Sequence, residues 1–302
     1  ATDFPVGWDD LNYGTLPPNQ LRLLYPAMTS GEGAEMAGNG PFPNVQFFVD
    51  SGETLDSYMD FTSRLVERGY VVAVHRQAYD STDFAEILEQ IVDVHDLLQE
   101  LNNSSSSPIT GSFGQFDLAH WGIGGHGVGA AGAYGVYPYW MNSSLHETVQ
   151  PPRGIFGLGI DFSDWDEDHW SDLAPSAWPH APARPSVGLF LTGSAYEVSP
   201  VLDAESVLAQ GDGLGWQIMQ VLGADHYQFQ DSTSFLEGLS DGDASITQEE
   251  QNSIASEHVN AYLDLTLRGS HERFRDAFNR PLGPHVVSDN DAYIVEDLLD
   301  SE

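Results

Sequence analysis

The stretch that most constrains this chain runs from Phe116 to Tyr137, FDLAHWGIGGHGVGAAGAYGVY. An apolar run over Leu118–Ile123 enters the turn Gly124-Gly125-His126-Gly127-Val128-Gly129. The small-residue segment Ala130-Ala131-Gly132-Ala133 follows. Such an order predicts a strand, a sharp turn and a helix packed closely on its sheet. Glycine at 127 suits a turn whose central residue needs positive φ, because it carries no Cβ to clash. The alternative is an ordinary glycine-rich phosphate cradle. It lacks an acidic residue at the expected distance beyond a following strand.

Charge sets the second constraint. The 302 residues carry 46 acids and 10 basic groups, for a formal net charge of -36. Every basic residue is arginine. A chain so charged repels itself in dilute salt. At molar salt the Debye length shrinks to about 3 Å and most of that repulsion is screened. The acids are spread along the chain, which predicts a salt-adapted protein. Nucleic acid and anionic membranes are poor partners for this charge. Cysteine is absent, so disulfides and thiolate chemistry are excluded. No apolar run reaches the ~18 residues of a membrane span. The start at Ala1 is read as a mature, secreted chain after signal removal, extracellular or at the cell surface. Asn102, Asn103 and Asn142 head glycosylation acceptor patterns.

Periodicity predicts strands at 21–25, 45–49, 70–74, 154–160, 187–192 and 216–222, and helices over 57–68, 81–101 and 246–268. Thr247 and Glu250 form a capping-box pattern at the start of the last helix. Strands alternating with helices predict an α/β fold with a mainly parallel central sheet and helices on both faces. Residues 1–20 read as an extended N-terminal arm and 21–283 as the main domain, with an acidic, tryptophan-bearing flap over 161–185. Residues 284–302 read as an acidic C-terminal tail.

The order of these parts resembles the α/β-hydrolase superfamily. It is most similar to the branch of polyester hydrolases, chlorophyllases, dienelactone hydrolases and platelet-activating-factor acetylhydrolases. Gly125, His126, Val128 and Gly129 match the nucleophile elbow Gly-His-Ser-x-Gly, with Gly127 at the serine position. Tyr25-Pro26-Ala27 and Glu67-Arg68-Gly69-Tyr70 also fall in family order. So does Gly223-Ala224-Asp225-His226, the segment that would deliver the catalytic histidine. After the strand SVGLFLTG, Tyr196 stands where the family has aspartate. Ser51 and Val128 would supply oxyanion-like backbone donors, with the carboxylates of Asp50 and Glu53 beside them opposing a developing oxyanion.

Loss of a serine nucleophile alone typically costs about 10⁶-fold in turnover. The resemblance therefore implies a degenerate triad at Gly127, Tyr196 and His226, and a chain that is not an enzyme. His226, without partners, becomes a structural hydrogen-bonder. A structural role follows, with self-association through the terminal arms into an extracellular assembly or filament. Two alternatives stay open. One is an esterase using Ser194, Ser232 or Ser234 with His226; the other is a small-molecule binder in the vacated cleft. No cofactor is implied. Asp161, Asp164, Asp166, Asp168, Asp241 and Asp243 are weak candidates for bound cations, against the plainer reading of salt-adapted loops.

Overall fold

The computed structural model describes residues 3–14, 19–76, 83–142, 149–162, 187–195, 215–231, 244–278 and 286–288. Among the described residues ten strands form one sheet: β1 (Val6–Tyr13), β2 (Asn19–Pro26), β3 (Gly31–Glu32), β4 (Phe42–Phe48), β5 (Val71–His75), β6 (Phe116–His126), β7 (Gly154–Leu158), β8 (Val187–Gly193), β9 (Gly215–Val221) and β10 (Val286–Ser288). The spatial order is β10-β9-β8-β7-β6-β4-β5-β2-β1-β3. From β5 through β4, β6, β7 and β8 to β9 every pairing is parallel. β2 and β10 flank that block antiparallel.

The parallel strands are continuous apolar runs because both faces of the sheet are covered; β4, β5 and β7 are buried throughout. On one face lie α1 (Met59–Val66), α4 (Gln248–Arg268) and α5 (His271–Phe278). Phe61, Leu65, Val259, Leu263 and Phe274 pack there with Phe47, Phe156 and Leu189 of the sheet. On the other face lie α2 (Phe84–Asn103) and α3 (Val128–Asn142), joining Ile87, Ile91, Ala131 and Tyr137 to Phe48, Ile123 and Phe190. Asp83 caps α2 by accepting from Glu86 N–H, and Thr247 caps α4 by accepting from Glu250 N–H. Gly269 ends α4 in the left-handed conformation.

Several expected boundaries move. The 57–68 helix is a 3₁₀ turn over Leu55–Tyr58 followed by α1, and α5 was not anticipated. The N-terminal arm is corrected most: residues 6–13 are β1, paired along all eight positions with β2. Arg22 of β2 lies 4.3 Å over the Trp8 ring and pairs with Asp10 and Asp56. Phe4, Trp8 and Leu11, half-buried, pack against the chain's own core. At the other end, 286–288 add β10 beside β9. The rest of the tail, most of the 161–185 flap, Ser232, Ser234 and the cation candidates Asp164, Asp166, Asp168, Asp241 and Asp243 lie outside the described residues. No described helix is long and apolar enough to cross a membrane.

Candidate active site

β4 and β6 run parallel as neighbours, with Phe48 opposite Gly125, so the loop after β4 lies beside the turn after β6. That turn is tight because its glycines permit backbone contact. A Cβ on Gly125 would meet the backbone of Gly129 at 2.6 Å, and one on Gly129 would meet the Phe48 and Val49 carbonyls at 2.6 Å. Gly127 sits at φ 53°, between the end of β6 and the start of α3. Its N–H donates to the Leu158 carbonyl and its carbonyl accepts from Asp161 N–H.

The space beside Gly127 is filled. A Cβ at 127 would lie 2.2 Å from Asp50 Cγ and 2.2 Å from Asp50 Oδ1. The carboxylate of Asp50, carried on the loop after β4, therefore stands where a side chain at the elbow would begin. Its Oδ1 accepts from Ser51 N–H at 2.8 Å and from Val128 N–H at 2.9 Å. These are the two backbone donors expected of an oxyanion pocket, and here both hold a carboxylate oxygen. Its Oδ2 lies 3.0 Å from His226 Nε2. Burial alone would raise the Asp50 pKa. The His226 hydrogen bond, the neighbouring histidines and the Val128 N–H outweigh it and bring the carboxyl down to about 2. Asp50 is thus ionised at neutral pH.

His226 comes from the loop after β9, placed by the turn at Gly223 and by the short 3₁₀ segment Tyr227–Phe229. It is almost fully buried and stacks on His126, ring centroids 4.3 Å apart. His126, the last residue of β6, is completely buried. Its Nε2 bonds the His226 carbonyl at 3.1 Å, and its Nδ1 bonds the Tyr58 hydroxyl at 2.8 Å. The carbonyl can only accept, so Nε2 carries the hydrogen and Nδ1 presents a lone pair to Tyr58. Tyr58 also accepts from Asp50 N–H at 3.1 Å. Burial, first, and the charge of Asp50 push the Tyr58 pKa well up, which keeps its hydroxyl protonated. Burial, reinforced by His226, lowers His126 to about 3, so that imidazole is neutral at neutral pH. One chain of hydrogen bonds thereby fixes the backbones of both Asp50 and His226.

Asp50, His126 and His226 each offer one ligand atom, all within 4.8 Å of one another. Asp161 does not belong to that cluster. Ser194, directly after β8, accepts from Gly223 N–H through its Oγ at 2.7 Å and is tied up in that turn. Asn102 turns its Oδ1 to Phe116 N–H at 2.9 Å; Asn103 is exposed at the end of α2. Glu53 donates its N–H to the Asp50 carbonyl, helping to close the loop. Tyr196 and the side chain of Asn142 lie outside the described residues.

His226 was expected to stand without partners, and the structure corrects this. Its carboxylate comes from the loop after β4, not from the position after β8. The signal was present in two places, a glycine where a side chain is expected and an aspartate directly after the VQFFV strand. Their complementarity appears only when the two loops are brought side by side.

No family model matches the chain, and no curated protein does. Among solved structures, the ferulic acid esterase from Streptomyces cinnamoneus matches with a TM-score of 0.67. The match covers 96% of this chain and 98% of that one, at 16% sequence identity. The expectation of a chain that is not an enzyme is overturned: a neighbour of nearly coextensive fold is an esterase, and the nucleophile position holds an ionised carboxylate paired with histidine. The chain has the α/β-hydrolase fold, with an aspartate from the loop after β4 standing at its strand–helix elbow.

Proposed function

We propose that the chain is a carboxylic ester hydrolase whose reacting group is Asp50, paired with His226, in place of an elbow serine. The observation that carries this reading is the Asp50 carboxylate itself. It occupies the space over Gly127, with one oxygen on two N–H donors and the other 3.0 Å from His226 Nε2. The fold of a ferulic acid esterase supports the reaction class.

The chemistry follows from where the donors sit. Asp50 Oδ2 attacks the acyl carbon, the ester C–O bond breaks, and the leaving alkoxide takes the Nε2 proton of His226, which leaves that nitrogen free to act as the base in the second step. The product is a mixed anhydride of the acyl group and Asp50. Water then attacks Asp50 Cγ while His226 takes its proton. Negative charge collects on Oδ1, where Ser51 and Val128 N–H already point, and this is electrostatic stabilisation aimed at the second step. The anhydride C–O bond breaks, and the acyl acid departs with the original Oδ2. A carboxylate is a better leaving group than an alkoxide, so the first step goes forward best with esters of acidic alcohols, such as phenols and enols.

The test is a single turnover of p-nitrophenyl acetate in ¹⁸O water, followed by mass spectrometry of the peptide bearing Asp50. One ¹⁸O in Asp50 is expected. Turnover that leaves Asp50 unlabelled and survives Asp50→Asn would overturn the reading. Salt adaptation remains part of the proposal, supported by the -36 charge and the absence of lysine.

A further inference from the structure

The same buried centre has a second property that ester hydrolysis does not require. Three ligand-bearing side chains, from the end of β6 and from the loops after β4 and β9, converge on one point. Asp50 Oδ2 lies 3.0 Å from His226 Nε2 and 3.9 Å from His126 Nδ1. Ligand atoms of a tetrahedral zinc site, at bond lengths of about 2.0–2.1 Å, sit roughly 3.3 Å apart. The two observed separations bracket that value.

Two of the three ligands are also held by their other end. Asp50 Oδ1 is pinned by Ser51 and Val128 N–H, which leaves Oδ2 turned towards both histidines. His126 donates Nε2–H to the His226 carbonyl, which leaves Nδ1 as the lone-pair nitrogen. A ligating histidine whose other N–H is anchored on a backbone carbonyl is the usual outer-shell support of a metal site. The charge agrees as well: the site includes an ionised carboxylate, in a chain of formal charge -36.

We propose that Asp50, His126 and His226 bind a divalent cation of the zinc class, with the Tyr58 hydroxyl as its competitor. Tyr58 caps the His126 Nδ1 lone pair at 2.8 Å, so the cation must displace that hydrogen bond. Three protein ligands leave a coordination position open. Because the cation takes Oδ2 and Nε2, the atoms that would act on an ester, its occupancy holds the centre out of turnover. That last consequence rests on the proposed function; the binding does not.

The experiment is titration of the metal-free protein with Zn²⁺ and Co²⁺ in molar sodium chloride, which suppresses loose binding to the acidic surface. Calorimetry reads affinity and visible absorption reads Co²⁺ geometry. One tight site with an intense four-coordinate Co²⁺ spectrum is expected. It should weaken about 100-fold or more in Asp50→Asn, His126→Gln and His226→Gln. Tyr58→Phe removes the competitor and should tighten binding about 2- to 10-fold, the worth of one hydrogen bond. This variant guards against reading loss of binding as loss of fold. No saturable site, or a site indifferent to these replacements, overturns the proposal. A site that behaves as described while Zn²⁺ leaves ester turnover untouched keeps the proposal and removes Asp50 as the reacting group.

Discussion

Asp50 Oδ2 lies 3.0 Å from His226 Nε2, although the two residues are 176 positions apart in the chain. The pair exists because Gly127 has no side chain; a Cβ there would occupy the same volume as the Asp50 carboxylate. Placing a serine at 127 is therefore expected to damage the centre. Gly127→Ser must displace Asp50 and adopt φ 53° with a side chain. Strain of this kind costs on the order of 1–3 kcal/mol. A lower melting temperature and loss of esterase activity are expected, by thermal denaturation and p-nitrophenyl ester assay. A more active Gly127→Ser protein would show that Asp50 merely fills a gap.

Ser194 was one of the candidate replacement nucleophiles. Its Oγ is committed to Gly223 N–H at 2.7 Å, in the turn that leads to His226. Ser194→Ala should leave the Asp50 labelling pattern unchanged and shift turnover only modestly. Steady-state kinetics on this variant beside Asp50→Asn separates the two roles. Abolished activity with unchanged substrate affinity in Ser194→Ala would restore serine as the nucleophile.

Acid should unfold this protein partly through His75. That ring is completely buried at the end of β5, 4.1 Å from the Phe48 ring by centroid, and burial lowers its pKa from the ordinary 6.5 to about 3. In the folded state the ring stays neutral, whereas the unfolded chain takes up a proton below pH 6.5. Its contribution to stability is therefore complete above about pH 6.5 and is lost as pH falls towards 3. The slope is at most about 1.4 kcal/mol per pH unit for one such group. Denaturant titrations from pH 8 to 4 should show this loss, reduced in His75→Phe. An unchanged pH slope in that variant would remove His75 as a cause.

Removing residues 1–13 should unfold the chain rather than disperse an assembly. β1 pairs with β2 over eight residues and seats Trp8 against the flat face of the Arg22 guanidinium, whose nitrogens Asp10 and Asp56 hold along its edge. Circular dichroism of the truncated protein is expected to show lost structure at a salt concentration where the full chain is folded. A truncated chain with native melting behaviour would contradict that role.

Salt should raise the melting temperature. With a formal charge of -36, screening relieves self-repulsion that is present only when the chain is compact. Calorimetric scans from dilute to molar sodium chloride measure it. A melting temperature indifferent to salt would remove the reading of salt adaptation.

The sequence by itself determined the central strands of the sheet, most of the helices and the elbow. These follow from local pattern: apolar runs such as VQFFV, the helical spacing from Phe84 to Leu101, and glycines at 125, 127 and 129 where backbone must approach backbone. The capped start of α4 at Thr247 was legible for the same reason. Tertiary structure alone decided what occupies the elbow. Read along the chain, Gly127 is a missing nucleophile, Asp50 an unfavourable charge and His226 a residue without its acid. Parallel pairing of β4 with β6 brings the Asp50 loop over Gly127, and the turn after β9 brings His226 to it. Side-chain positions far apart in sequence meet through the sheet, and no local periodicity encodes which loop will fill a space left by an absent Cβ. The strand at 6–13 was missed for a related reason. Its aspartates at 9 and 10 look like a polar arm until Tyr25 and Arg22, on the neighbouring strand, take them as partners.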